Sequence, residues 1–130
     1  MVNTVKVRVP GTTANCGPGF DSVGIACTLY NSLELSVSET HGLTIEVSGE
    51  GAGAIPCSEK NIVWQAAKAV FTKVGFAYGG VRIQMDNAIP LARGLGSSAA
   101  AIVGGLVAAN AISGNQLTRQ QLFELATEIE

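Results

Sequence analysis

Charge is scarce in this sequence. Of its 130 residues, only 14 % are Asp, Glu, Lys or Arg, against roughly 25 % in an average soluble domain. With 47 % hydrophobic residues alongside, this composition excludes intrinsic disorder. Eight Lys and Arg stand against ten Asp and Glu, a formal net charge of −2. There is no broad positive field to gather nucleic acid or an anionic membrane, so an anionic ligand must be held by local geometry. Histidine is nearly missing. The single one, His41, precedes Gly42 in a turn-like stretch and is expected to be a solvated side chain without a role. Cysteine is sparse and scattered. Cys16, Cys27 and Cys57 lie 11 and 30 residues apart, which excludes a C-x-x-C pair and argues against a disulfide framework or a zinc site. Reduced thiols in a cytoplasmic protein are the expectation.

Long apolar runs are also missing. The N-terminal MVNTVKVRVP alternates apolar and charged residues and lacks the continuous core of a secretory signal. No formal charge falls between Arg93 and Arg119, an interval of 25 residues, but Ser97, Ser98, Asn110, Ser113, Asn115 and Gln116 interrupt it. Its apolar heart, Ala99 to Ala109, is 11 residues long. A membrane span needs about 20, so a buried helix is expected. Glycine, by contrast, is plentiful: 16 of 130, about 12 %, against roughly 7 % on average. The glycines cluster, which points to sites built from backbone.

Periodicity divides the chain into short elements within one domain. Val2 to Val9 reads as a strand ended by Pro10, with Val5, Val7 and Val9 on one face. Gly11 to Gly19 reads as a loop closed by Gly17-Pro18-Gly19, and Ile25 to Leu29 is short and apolar. Leu33–Ser38 and Leu43–Ser48 read as strands joined by a turn at Thr40-His41-Gly42. Gly49 to Pro56 is a Gly/Ala loop. Ser58 is the expected cap of a helix carrying Ile62, Val63, Ala66, Ala67, Val70 and Val74 on one face. Gly75 and Gly79-Gly80 stop that helix, Val81 to Met85 is a strand, and Asn87 to Gly96 is a loop. A helix follows over Ser97 to Ile112. Thr118 and Gln121 form a capping box that opens a last helix. Strands come first and helices later, the order of an α+β fold. The last pattern is unfinished at Leu122, Leu125, Ala126 and Ile129, with neither a glycine cap nor a proline after it. The expectation is a piece, or the ordered part, of a longer protein.

The informative segment runs Pro90-Leu91-Ala92-Arg93-Gly94-Leu95-Gly96-Ser97-Ser98-Ala99-Ala100-Ala101. Two glycines stand between a strand and a long Ala-rich helix, where backbone can approach a ligand closely. The first helical turn has unpaired N–H groups and the positive end of the dipole, which together favour an anion. Ser97 and Ser98 add hydroxyls, and the alanines leave room beside the helix. A glycine turn followed by a serine cap, with no ligand, is the plain reading of the same residues. A Walker A loop requires a Lys that this segment lacks. Gly94-x-Gly96-x-x-Ala99 fits a dinucleotide fingerprint formally, but the second strand and its acid do not follow. Gly96-x-Ser98-x-Ala100 could be a hydrolase elbow only with a histidine beyond residue 130.

Taken whole, the segment resembles the P-x-x-x-G-L-G-S-S-A-A signature of the GHMP kinases, matched at Pro90 and from Gly94 to Ala100. The resemblance implies a loop, residues 90–100, that wraps the phosphates of ATP, with Ser98 beside a magnesium ion. A second segment, Val9 to Gly24, is similar to the opening V-P-A-[ST]-[ST]-A-N-L-G-P-G-F-D-S-L-G of the homoserine kinases within that family. Thirteen of sixteen positions agree, with Gly11, Cys16 and Val23 as the departures. A rigid Gly-Pro-Gly turn lets Asn15 and Asp21 face one cavity. Asp21 can pair with an ammonium and the Asn15 amide can bond a hydroxyl, and homoserine carries both groups. An Asx-type turn with a solvated Asp is the plainer reading of those two residues alone.

Two further positions follow from the same resemblance. Ser58-Glu59-Lys60-Asn61-Ile62-Val63-Trp64 is similar to a family helix start near the adenine, so Asn61 is an expected contact to a base edge. Trp64 is either its apolar wall or core. Glu130 lies eight residues after Leu122, at the edge of the apolar face, and Glu124 and Glu128 lie on the wet face. Spacing alone makes Glu130 one more solvated carboxylate; the family pattern implies a magnesium ligand. The implied fold is the ribosomal protein S5 domain 2-like N-terminal domain of a GHMP kinase, filling residues 1–130, with a ferredoxin-like C-terminal domain outside the chain. The implied activity is transfer of the γ-phosphoryl group of MgATP to L-homoserine, with no nucleic acid or membrane partner and a homodimer left open. A mevalonate- or sugar-type kinase, or a nucleotide-binding fragment without turnover, are the alternatives.

Overall fold

The structure is a computed structural model that describes residues 3–10, 30–88 and 97–129, without the side chains of Pro10 and of residues 97–99. The expected loop over Gly11 to Gly19, the apolar run Ile25 to Leu29 and the residues 89–96 lie outside the described set, as do Asn15, Asp21 and Glu130.

Alternating side chains build the strands. β1 (Thr4–Pro10), β2 (Tyr30–Ser38), β3 (Gly42–Gly49) and β4 (Gly80–Asn87) form a mixed sheet in the order β1-β2-β4-β3. β1 with β2 and β2 with β4 are antiparallel; β3 with β4 is parallel. The register lines up matching apolar rows across the sheet: Val5, Leu35, Ile83 and Ile45 in one, Val7, Leu33, Met85 and Val47 in the next. β1 runs through Pro10, where the sequence reading ended it before that residue. It is an outer strand of the described sheet, so a proline at its last position forfeits little pairing.

One pairing differs from the simple sequential picture. The turn expected at residues 40–42 does join β2 to β3, but β4 lies between them. The start of β4 passes tightly under that turn. Gly79 N–H donates to the Ser38 carbonyl at 3.0 Å, and a Cβ on Gly80 would collide with the Thr40 carbonyl oxygen. Two glycines in succession make this insertion sterically feasible.

α1 (Ile62–Val74), α2 (Ser97–Ile112) and α3 (Arg119–Ile129) complete the described fold. α1 packs on α2, and α2 lies over β1 and β2. The core joins Leu35, Ile83, Val63, Val70, Phe71 and Ile102, each 1 % exposed or less. The opposite sheet face is polar: Arg82 meets Glu46 at 2.7 Å and Gln84 donates to the same carboxylate oxygen at 3.2 Å. α2 has the bounds read from the sequence and is apolar nearly all round; one side packs into the core, and Val103 and Val107 on the other are exposed. α3 opens with the expected capping box. Gln121 N–H donates to Thr118 Oγ1 at 3.2 Å, and Thr118 N–H donates to Gln121 Oε1 at 2.8 Å.

Candidate functional site

One end of the sheet gathers the segments that carry the motifs. The register places Val9, Asn31, Asn87 and Gly49 side by side across four strands. β1 leaves at this end and β2 enters from it, so the described flanks of residues 11–29 stand here. β3 leaves here toward α1, and β4 leaves here toward α2. The flank of residues 89–96 on β4 therefore shares this end with the approach to α1.

Asn61 initiates α1 and occupies the position expected of Ser58. Its side-chain oxygen accepts from Val63 N–H at 2.8 Å and from Trp64 N–H at 3.3 Å. Ser58 instead shapes the preceding turn, accepting from Asn61 N–H at 2.9 Å through its carbonyl. The Asn61 amide nitrogen donates to the Pro56 carbonyl at 2.9 Å and approaches Met85 Sδ at 3.5 Å. The residue is fully buried. These contacts engage both ends of its amide, so the base-edge contact expected of it would have to compete with the helix start and the loop before it. Trp64 is core. It is 6 % exposed and meets Tyr78 edge-on, with ring centroids 5.8 Å apart. Its buried Nε1 has no partner among the described residues.

Ser97 and Ser98 form the first turn of α2, together with Ala99. That turn carries no acidic residue, so no carboxylate of its own competes for its N–H groups and dipole. Ala100 and Ala101 are 4 % and 8 % exposed. Their small size serves close packing, and the Ala100 side chain offers little surface to a nucleotide. Pro90, Leu91, Ala92, Arg93, Gly94, Leu95 and Gly96 lie outside the described residues. On α3, Leu125 is buried, Leu122, Ala126 and Ile129 are half-buried, and Glu124 and Glu128 are exposed. The inward stripe thus holds through Ile129, the residue before Glu130. The described residues contain no group of three or more His, Cys, Asp or Glu side chains able to hold a metal, and none of their helices is long and apolar enough to cross a membrane.

Sequence reasoning missed Asn87 and took it as the start of a loop. It is the last residue of β4, 4 % exposed. Its carbonyl accepts from Glu50 N–H at 2.8 Å and its amide donates to the Glu50 carbonyl at 3.3 Å. The pair clamps the exit of β4 immediately before the glycine-rich segment. A polar residue ending a strict apolar alternation was the available signal.

The mixed sheet with its helices on one face, and a helix start at the end of a glycine-rich segment, correspond to a known class of domain. Residues 61–130 match the family model described as GHMP kinases N terminal domain, and the chain belongs to that family. It is 47 % identical to the homoserine kinase of Trichormus variabilis over 130 residues, covering 100 % of this chain and 43 % of that protein. It is 51 % identical to the homoserine kinase of Moorella thermoacetica over 124 residues, 95 % of this chain and 41 % of that protein. Among solved structures it resembles a homoserine kinase from Cytophaga hutchinsonii with a TM-score of 0.79 at 30 % identity, covering 100 % of this chain and 42 % of that one. The mevalonate kinase of Methanococcus jannaschii shares the fold, at a TM-score of 0.71 and 15 % identity, with 97 % of this chain and 45 % of that one covered. The chain thus spans about two fifths of the length of these relatives.

Proposed function

We propose that residues 1–130 are the N-terminal, ATP-binding domain of a homoserine kinase, which moves the γ-phosphoryl group of ATP to the side-chain hydroxyl of L-homoserine. The observation that carries this reading is identity of 47 % and 51 % with two homoserine kinases over nearly the whole chain. Mevalonate kinase, at 15 % identity, shares the fold alone. The motif residues support the same choice, because Asp21 offers a carboxylate to an ammonium that a sugar or mevalonate lacks.

In this reading the backbone N–H groups of residues 94–99 and the hydroxyls of Ser97 and Ser98 bind the phosphates at the positive end of α2. Asp21 holds the amino group of homoserine, and Asn15 orients its hydroxyl toward the γ-phosphorus. Ser98 and Glu130 are the proposed magnesium ligands; the ion, when bound, neutralises charge on the phosphates. The chain's own contribution is positioning and charge stabilisation, and no residue is assigned as a general base. No nucleic acid or membrane enters the reaction, a second copy of the chain is compatible with it, and the cytoplasm is the proposed compartment.

The test is ATP-dependent phosphorylation by the intact protein, with homoserine, mevalonate and galactose compared. Homoserine should be the preferred acceptor. Preference for mevalonate or galactose would overturn the substrate, and nucleotide binding without turnover would overturn the kinase. Ser98→Ala should lower kcat about 100-fold, the order of one lost transition-state donor. A variant within twofold of wild type would remove Ser98 from the chemistry.

A further inference from the structure

Two glycines in the middle of α2 lie outside the phosphate-loop motif. Neither has a positive φ, and an interior helix glycine is less stable than alanine. Space explains them. A Cβ on Gly105 would lie 2.6 Å from the Val63 carbonyl oxygen and 2.9 Å from Ala66 Cβ. A Cβ on Gly104 would lie 2.5 Å from Leu33 Cδ2, the end of a side chain, and 3.4 Å from Val9 Cγ2. The two positions differ in what must yield. Leu33 can shift a terminal methyl. The Val63 carbonyl belongs to the first turn of α1, which Asn61 caps and ties to the Pro56 carbonyl and to Met85 of β4.

This places α2 in a closed frame. Gly105 seats α2 on the turn at Val63, and Asn61 anchors that turn to β4. The Asn87–Glu50 pair fixes the end of β4. Residues 89–96 connect that fixed strand end to the first turn of α2. A packed helix moves as a rod, and Ser98 stands seven residues, about 10 Å, along the axis from Gly105. A displacement at the seat is therefore carried to the turn that holds phosphate.

We propose that Gly105 is a positioning residue for nucleotide: its missing side chain sets how close α2 lies to α1, and so where the phosphate-binding turn stands relative to the end of β4. The inference rests on the kinase reading of residues 94–100.

The experiment compares Gly105→Ala with Gly104→Ala in the intact protein. Affinity for a non-hydrolysable ATP analogue is measured by calorimetry, with thermal unfolding and both Michaelis constants alongside. Gly105→Ala should weaken the analogue and raise KM for ATP by roughly tenfold, equivalent to about 1.4 kcal/mol of lost phosphate binding, with KM for homoserine changed less than twofold. Gly104→Ala should change nucleotide affinity less than twofold. Equal affinities for Gly105→Ala and Gly104→Ala, whatever their melting temperatures, would reduce Gly105 to a packing residue and overturn the proposal. Should Gly105→Ala not fold, Ala66→Ser presses on the same contact from α1 and carries the same expectation and the same overturning result. A wild-type protein that binds no analogue would instead refute the kinase reading.

Discussion

Asparagine does several distinct jobs in this chain, and the differences come from surroundings. Asn110 clamps the turn between α2 and α3, donating to the Leu117 carbonyl at 3.1 Å and accepting from Leu117 N–H at 3.0 Å. Asn61 caps α1 and braces the loop before it. Asn61→Ala should therefore act on stability first. Loss of the cap and of the Pro56 partner should cost about 1–3 kcal/mol in denaturant unfolding of the intact protein. Asn61→Asp should not rescue it, because Asp keeps the cap acceptor but loses the donor and buries a charge. Unchanged stability with a large loss of ATP affinity would instead support the base-contact role. Asp21 is the opposite case, a proposed substrate contact. Truncating one partner of a desolvated charge pair costs about 2–5 kcal/mol, so Asp21→Ala should lower kcat/KM for homoserine by roughly 30- to 3,000-fold. KM for ATP should move less than about threefold in the same assays. That a helix begins in this stretch was legible from the apolar spacing after it. That Asn61 and not Ser58 caps it was not, because its partners Pro56 and Met85 meet it only in the folded chain.

Elements were the most legible level. Period-two alternation marked the strands, and α2 has the bounds its composition suggested, since a run of small and apolar residues without charge favours a helix packed over most of its surface. Capping was read correctly where it is local, as at Thr118 and Gln121, three residues apart. It was misassigned where two polar residues competed, as at Ser58 and Asn61. Strand neighbours were not legible: a short turn between β2 and β3 says nothing of a third strand entering between them. β4 brings Arg82 and Gln84 against Glu46 of β3, and their hydrogen bonds, that of Arg82 foremost, hold the Glu46 carboxyl below its ordinary range. A lowered folded-state pKa means stabilisation present above the unfolded value and lost as pH falls through the folded one. Glu46→Gln should thus be slightly less stable than wild type at neutral pH, and the two should converge below the usual carboxylate range. The pair is exposed, with side chains 57 % and 56 % accessible, so the difference should shrink further in high salt. A gap that persists at acid pH would show that the glutamate acts through packing.

At the scale of the molecule, the proposed site draws on residues far apart in the chain: 15 and 21, 94–99, and 130. Magnesium tests this assembly at Glu130. Glu130→Gln should raise the magnesium concentration giving half-maximal rate, since it removes a charged oxygen donor. An unchanged magnesium titration would leave Glu130 as a solvated helix end. By itself the sequence determined the α+β order, the helix bounds of α2, the capping box of α3 and the two motifs, because each depends on neighbours within a few residues. Only the tertiary structure decided that β4 lies between β2 and β3, that the Asn61 amide serves both the α1 cap and the Pro56 carbonyl, and that Gly105 sits against the Val63 carbonyl. These depend on atoms that meet only when distant segments pack, and no local spacing encodes such distances.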